Sequence, residues 1–267
     1  MQQTADTAKD LPAPLVQEMS PPAGAPARRG RPPARGDQQR RRDLRRHARP
    51  VSQAEMANTP GTLVHKEHHE MRIEVRDNGE LRSLYFADGQ LQSRINLSRP
   101  WDLTLAYTRY MAAALLLVPE PRRIAMIGLG AGSLAQFFLY HFPQCRLTCV
   151  EPSQRVVALA RAFFRLPESE RLEIFSGDGR DFVEKAEGVY DLLFVDAFDD
   201  IGMAPSIYDE TFLGNCTALL GEDGVAVCNL WSGNRPRLRH IEHILADSFT
   251  TVWYLPVPER GNIVAWA

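Results

Sequence analysis

One junction constrains this chain more than any other. Ile124-Ala125-Met126-Ile127 is a continuous apolar run that stops at Gly128-Leu129-Gly130-Ala131-Gly132-Ser133. Helical spacing follows over 133–140. A short unbroken apolar run bounded by glycine is a strand buried on both faces. The glycines allow a tight turn and let a ligand approach the backbone. The downstream sequence repeats the strand–helix pattern. Strands are expected at 147–150, 172–175, 191–195 and 225–230, and helices at 154–164, 211–220 and 237–249. Two late strands, 251–255 and 263–266, close the chain. Such alternation gives a mainly parallel sheet with helices on both faces, an α/β doubly wound fold.

The segment ahead of this pattern is different. Residues 71–75, 81–86 and 91–97 alternate as strands do, with turn signals at Asp77-Asn78-Gly79 and Asp88-Gly89. They predict a small antiparallel β unit over 61–99. Residues 100–118 read as a helix capped by Asp102, with Leu103, Tyr107, Tyr110, Met111 and Ala114 on one face. The α/β domain then fills 100–267.

Charge separates the first residues from the rest. Residues 1–50 carry 11 Lys+Arg against 5 Asp+Glu; the other 217 carry 20 against 28. Residues 1–60 are rich in Arg, Pro and Ala and have no hydrophobic period, so they are expected to be a disordered tail. Three readings of the tail stay open: a solvated appendage, an arm touching nucleic acid or an acidic partner, or translation from too early a start, with Met56 or Met71 as the true one. The last follows from 28 Arg against 3 Lys, a sign of GC-rich coding DNA. No aromatics interleave with the arginines to stack on bases, so nucleic acid is not the expected partner. No apolar run reaches the roughly 18–20 residues that span a bilayer, and no secretory signal is evident, so a cytoplasmic protein is expected. Cys145, Cys149, Cys216 and Cys228 form no CxxC pair and read as buried thiols.

In open α/β sheets ligands bind beyond the carboxyl ends of the strands. Four successive strand ends carry polar groups here: Gly128, Gly130 and Gly132; Glu151; Asp178-Gly179; and Asp196, with Asp199 and Asp200 close behind. An acid 23 residues after Gly128 can accept both ribose hydroxyls of a nucleoside. A nicotinamide dinucleotide would want GxGxxG, whereas Ser133 follows Gly132 here. The late hairpin also favours a methyltransferase-like Rossmann sheet and an S-adenosyl-type nucleoside. His65-Lys66-Glu67-His68-His69 lacks a partner cluster and reads as a solvated segment, so no metal is expected. Trp231, Trp253 and Trp266 read as packing residues, and His240 and His243 as surface residues.

Four stretches resemble the spermidine synthase family of polyamine aminopropyltransferases: Ala87-Asp88-Gly89-Gln90-Leu91-Gln92, the run Leu105-Ala106-Tyr107-Thr108-Arg109-Tyr110-Met111, the glycine turn, and Tyr190-Asp191-Leu192-Leu193-Phe194-Val195-Asp196-Ala197-Phe198-Asp199. The resemblance implies that Glu151 binds the ribose and Asp178 the adenine amino group. It implies that Asp196 lies against the reacting centre, that Asp199 holds and deprotonates an attacking amine, and that Tyr107 lines the amine pocket. The implied donor is decarboxylated S-adenosylmethionine or S-adenosylmethionine, the acceptor a small amine, and the assembly a homodimer.

The sequence also departs from the family. Ala131 stands where the family has the Asp that binds the donor's amine, Thr108 where it has Gln, and Asp200 where it has Pro. Pro256-Val257-Pro258 does not match its Tyr-Pro element. Three functions therefore stay open: aminopropyl transfer to a diamine such as putrescine, methyl or other alkyl transfer from S-adenosylmethionine, and a non-catalytic nucleoside-binding role.

Overall fold

A computed structural model describes residues 61–68, 72–86, 89–198, 202–204, 206–258 and 261–267. The expected tail lies outside the described residues. Four strands come first: β1 (Thr62–His68), β2 (Arg72–Asn78), β3 (Leu81–Phe86) and β4 (Gln90–Asn96). They form an antiparallel sheet in sequential order. A period of two divides β2 into faces. Ile73 and Val75 are buried against the rest of the protein, while Arg72, Glu74 and Arg76 form ion pairs on the other side.

The run read as solvated is described only to His68, and there it belongs to β1, whose side chains are mostly exposed. It is an edge strand paired to β2. His65 packs 4.9 Å from the Phe163 ring, and Glu67 accepts from Arg155 at 2.6 Å. Its tertiary partners order it, although its polar composition gives no sign of that.

The expected helix over 100–118 is also shorter. Helix α1 (Ala106–Ala112) starts after an extended Leu105 and tightens into a 3-10 turn at Ala113–Leu116. Asp102 does not cap it; that carboxylate pairs with Arg99 at 3.0 Å. The residues before the helix are tied elsewhere. The Thr104 hydroxyl donates to the Arg94 carbonyl at 3.0 Å, and Trp101 stacks on Tyr140 at 4.1 Å. These contacts override the helical pattern.

The alternating part runs β5 (Arg123–Ile127), α2 (Ser133–His141), β6 (Arg146–Glu151), α3 (Gln154–Phe163), β7 (Leu172–Ser176), α4 (Gly179–Lys185), β8 (Tyr190–Val195), α5 (Glu210–Ala218), β9 (Leu220–Trp231), α6 (Arg235–Ser248), β10 (Trp253–Pro256) and β11 (Asn262–Trp266). The seven strands lie in the order β10-β11-β9-β8-β5-β6-β7. All neighbours are parallel except those of β11, which lies antiparallel between β9 and β10.

Helix α4 has no counterpart in the sequence reading. It is only seven residues long and carries two apolar side chains, Phe182 and Val183, too few to show a period. Strand β9 begins earlier than expected. Tyr190 pairs with Leu220 and Leu192 with Val225, so residues 221–224 bulge from the ladder instead of preceding it.

Both faces of the central strands are covered. Ile124, Met126, Leu192 and Phe194 point to one core, which holds Phe138 and Met111. Ala125, Ile127, Leu193 and Val195 point to the other, which holds Phe212, Ile241 and Leu245. A third cluster joins the two sheets: Ile73, Val75, Leu84 and Ile95 pack with Ala131, Leu159 and Phe164. The four cysteines are free and buried, and burial pushes the Cys149 and Cys228 thiols up to about 12. Among the described residues no helix is long and apolar enough to cross a membrane.

Candidate active site

Strand order reverses between β5 and β8. Chains leaving these two strands diverge, opening a crevice at their carboxyl ends. Gly128 ends β5 there with φ 100°, a conformation that side-chain-bearing residues rarely adopt. A Cβ on Gly128 would lie 2.2 Å from the Asp196 carbonyl oxygen. The turn and the end of β8 are thus in backbone contact, which only glycine allows.

A cavity of about 210 Å³ opens at this point, and Gly128, Gly130, Glu151, Asp178, Gly179 and Asp196 all line it. Glu151 is 8% exposed. The Leu129 amide donates to one of its carboxylate oxygens at 3.2 Å and the Ser153 amide to the other at 3.0 Å. Each oxygen can accept about two hydrogen bonds, so acceptor capacity remains for a further donor. Burial pushes the Glu151 carboxyl above its ordinary range, and the amides of Ser153, Leu129 and Gly130 pull it back. Asp178 is exposed and caps α4, accepting from the Arg180 amide at 2.9 Å. Gly179 packs so closely that a Cβ would lie 2.3 Å from Ile127 Cγ2.

Two residues of the glycine turn do not line this cavity. A Cβ on Gly132 would lie 2.7 Å from Leu166 Cδ1, so Gly132 packs against Leu166. Ala131 is fully buried in the cluster between the two sheets. An acid at 131 would meet Val75, Leu84, Ile95 and Phe164 in this chain, at the cost of burying a charge among apolar groups.

A second cavity of about 370 Å³ adjoins the first. Gln92, Tyr107, Asp196 and Phe198 line both. The first three come from β4, α1 and the end of β8, so the small sheet and α1 complete the site. The Tyr107 hydroxyl lies 3.3 Å from the Gln92 carbonyl and also reaches Asp196, and its one proton can serve either acceptor. Burial and the neighbouring Asp196 charge push the Tyr107 phenol well above its ordinary value. Burial also raises the Asp196 carboxyl, and hydrogen bonds from Asn229 and Tyr107 oppose the rise.

Asn229 Nδ2 donates to Asp196 Oδ1 at 2.8 Å, and Asn262 Nδ2 donates to Asn229 Oδ1 at 2.9 Å. Beneath them the Tyr208 hydroxyl sits 3.1 Å from the Val195 carbonyl and 3.0 Å from that of Asn229. Tyr208 has φ 70°, a left-handed conformation that costs a non-glycine residue about 1–2 kcal/mol. Its burial and its hydroxyl contacts oppose that cost.

The structure therefore gathers the predicted Gly128, Gly130, Glu151, Asp178, Gly179, Asp196 and Tyr107 around two joined cavities. Asp199 lies outside the described residues. The sequence reading missed Gln92, Asn229, Asn262 and Trp231. Asn229 carried a usable signal, since it interrupts the apolar run Val225–Leu230 near a strand end. Of the three tryptophans read as packing, only Trp266 is buried; Trp231 is 40% exposed and lines the second cavity. Strand β9 ends at Trp231, so the side chain sits at the rim and not in the sheet. His240 and His243 are exposed, as expected.

Among the described residues no Lys, Arg or His lines either cavity, whereas three carboxyl groups do. Such a site attracts cations and offers acceptors to hydroxyl and amine donors.

Comparison with known proteins agrees with that architecture. Residues 104–242 match the spermine/spermidine synthase domain. The chain is 36% identical over 196 residues to a polyamine aminopropyltransferase of Chromobacterium violaceum, covering 73% of this chain and 75% of that protein. It is 33% identical over 125 residues to the eEF1A lysine and N-terminal methyltransferase of Mus musculus, covering 43% of this chain and 18% of that one. Its fold matches a probable spermidine synthase of Corynebacterium glutamicum with TM-score 0.66 at 23% identity, covering 78% and 80% of the two chains. The fold is a methyltransferase-like Rossmann sheet preceded by a small antiparallel sheet. The chain belongs to the spermine/spermidine synthase family.

Proposed function

We propose that this protein transfers an aminopropyl group from decarboxylated S-adenosylmethionine to a diamine such as putrescine. The observation that carries the reading is the junction of the two cavities at Asp196 and Tyr107. A donor in the first would present its sulfonium side to an acceptor in the second. Glu151 takes the ribose hydroxyls, and Asp178, with Gly179 against it, takes the adenine edge.

The acceptor nitrogen must be neutral to attack. Its lone pair forms the new C–N bond as the C–S bond breaks, and the bond pair stays on sulfur, leaving a neutral thioether nucleoside. The sulfonium is already an excellent leaving group, so alignment is the main contribution of the protein. Asp196 faces the nitrogen as positive charge builds on it. Asp199, three residues on, holds the amine and takes its proton, a role that rests on the family resemblance.

Ala131 favours a second reading, methyl transfer from intact S-adenosylmethionine. The family's aspartate at this position binds the donor's amine, and this chain lacks it. The methyltransferase name of the mouse relative belongs to the same reading. One assay separates the two. Purified protein is given putrescine with either donor, and the products are identified by mass spectrometry. Spermidine and methylthioadenosine from the decarboxylated donor alone are expected. Methylated product and S-adenosylhomocysteine from the intact donor would replace the first reading with the second.

A further inference from the structure

The hydrogen bonds behind Asp196 have a fixed direction. An ionised carboxylate can only accept, so Asn229 must turn its NH₂ toward Asp196, as it does at 2.8 Å. The carbonyl oxygen of the Asn229 amide then faces the other way and needs a donor. Asn262 supplies it at 2.9 Å. Asn229 is 2% exposed, so water is a poor substitute. A proton on the other Asp196 oxygen would leave this contact intact. A proton on the oxygen that faces Asn229 would instead donate to the Asn229 oxygen. That arrangement requires the Asn229 amide to flip, and the flip would set its NH₂ against the NH₂ of Asn262.

We propose that Asn262 is a positioning residue: by orienting the Asn229 amide, it keeps an N–H donor on Asp196, which favours the ionised carboxylate and one rotamer. The chain of contacts runs from β11 across β9 to the end of β8, and so ties the last strand to the reacting centre. Its catalytic consequence rests on the function proposed above; its effect on Asp196 does not. Other groups face Asp196 too. Tyr107 reaches it from α1, the Tyr208 hydroxyl lies beneath, and Glu151 and Asp178 share the first cavity.

Asn262 also lines the second cavity, so a direct contact with the acceptor is the competing role. The test separates the two. The side-chain carboxyl of Asp196 is titrated by carbon-detected NMR in the ligand-free full chain, for wild type, Asn262→Leu, Asn229→Leu and the double variant. Asn262→Leu should raise the Asp196 midpoint by about 0.5–1 pH unit, the size of one lost hydrogen bond. In the double variant, Asn262→Leu should add nothing to Asn229→Leu, because it acts only through that amide. Where turnover is measurable, the acid limb of kcat should move with the midpoint, while the acceptor KM moves little.

An unchanged midpoint in folded Asn262→Leu overturns the proposal. So does an effect of Asn262→Leu that persists when Asn229 is already Leu, or a variant that changes acceptor KM alone. The titration uses no substrate, so absence of aminopropyl transfer would count against the proposed function and leave this inference standing or falling on its own data.

Discussion

The two joined cavities are built by different means. The first is backbone architecture: strand ends, a glycine turn and a helix cap, with Glu151 held by main-chain amides. The second is assembled from side chains on β4, α1, β9 and β11, with the loop after β8. A site made of local backbone tolerates little change in shape and fixes one ligand part. A site made of side chains from distant segments can alter its specificity without disturbing the sheet. The difference predicts where substitutions should act: changes in the first cavity on the donor, in the second on the acceptor, and at the shared residues on turnover.

The largest effect should come at the junction. Asp196→Asn keeps the shape and removes the charge, so turnover should fall about 10²–10⁴-fold in steady-state assays, with methylthioadenosine affinity nearly unchanged. The same variant should stabilise the ligand-free protein at neutral pH. Burial raises this carboxyl in the folded state, so the folded protein holds its proton more tightly than the unfolded chain does. Wild-type stability from this group is therefore full below the ordinary carboxylate range and lost as pH rises through the folded value. Thermal melts of Asp196→Asn and wild type should diverge at pH 7 and converge near pH 3. Asp77→Asn should behave oppositely. The Arg82 hydrogen bond holds Asp77 low, so its contribution is present at neutral pH and lost on acidification. A single pH dependence for both variants would break the contrast.

Next in size is Glu151→Gln. It should weaken nucleoside binding by about 1.5–3 kcal/mol by calorimetry, the value of a hydrogen bond to a charged group. The acceptor KM should stay within about twofold, below the roughly 0.5 kcal/mol coupling limit of well-separated sites. Equal effects on donor and acceptor would mean that the cavities are not functionally distinct. Gly128→Ala tests the backbone contact itself. Overpacking against the Asp196 carbonyl should cost about 1–3 kcal/mol in urea denaturation. Gly177→Ala, where a Cβ meets open space, should stay within about 0.5 kcal/mol. The smallest effect should be that of Trp231→Ala at the rim. A few-fold rise in acceptor KM with unchanged donor affinity would fit, whereas a donor effect would not.

The same contrast explains what the sequence made legible. Glycine turns and strand-end acids are local, so Gly128, Glu151, Asp178 and Asp196 could be read from spacing alone. Their neighbours in the second cavity could not. Gln92, Trp231 and Asn262 meet only because β4, β9 and β11 converge, and no local pattern records that convergence. Tyr107 was reached through family resemblance and not through spacing. The short α1 was misread because the residues ahead of it are tied to other elements, Thr104 to β4 and Trp101 to α2. Ala131 shows the limit of motif reading. Its departure from the family was visible, but only the structure shows that its side chain packs between the sheets and does not line the cavity.

Under the proposed function, donor and acceptor occupy adjoining cavities and meet at Asp196. A crystal structure of the protein with methylthioadenosine and putrescine tests it most directly. The ribose hydroxyls should lie on Glu151, the adenine beside Asp178 and Gly179, and the sulfur at the opening between the cavities. One putrescine nitrogen should lie within hydrogen-bonding distance of Asp196. A nucleoside bound away from Glu151, or an amine seated outside the second cavity, would contradict it.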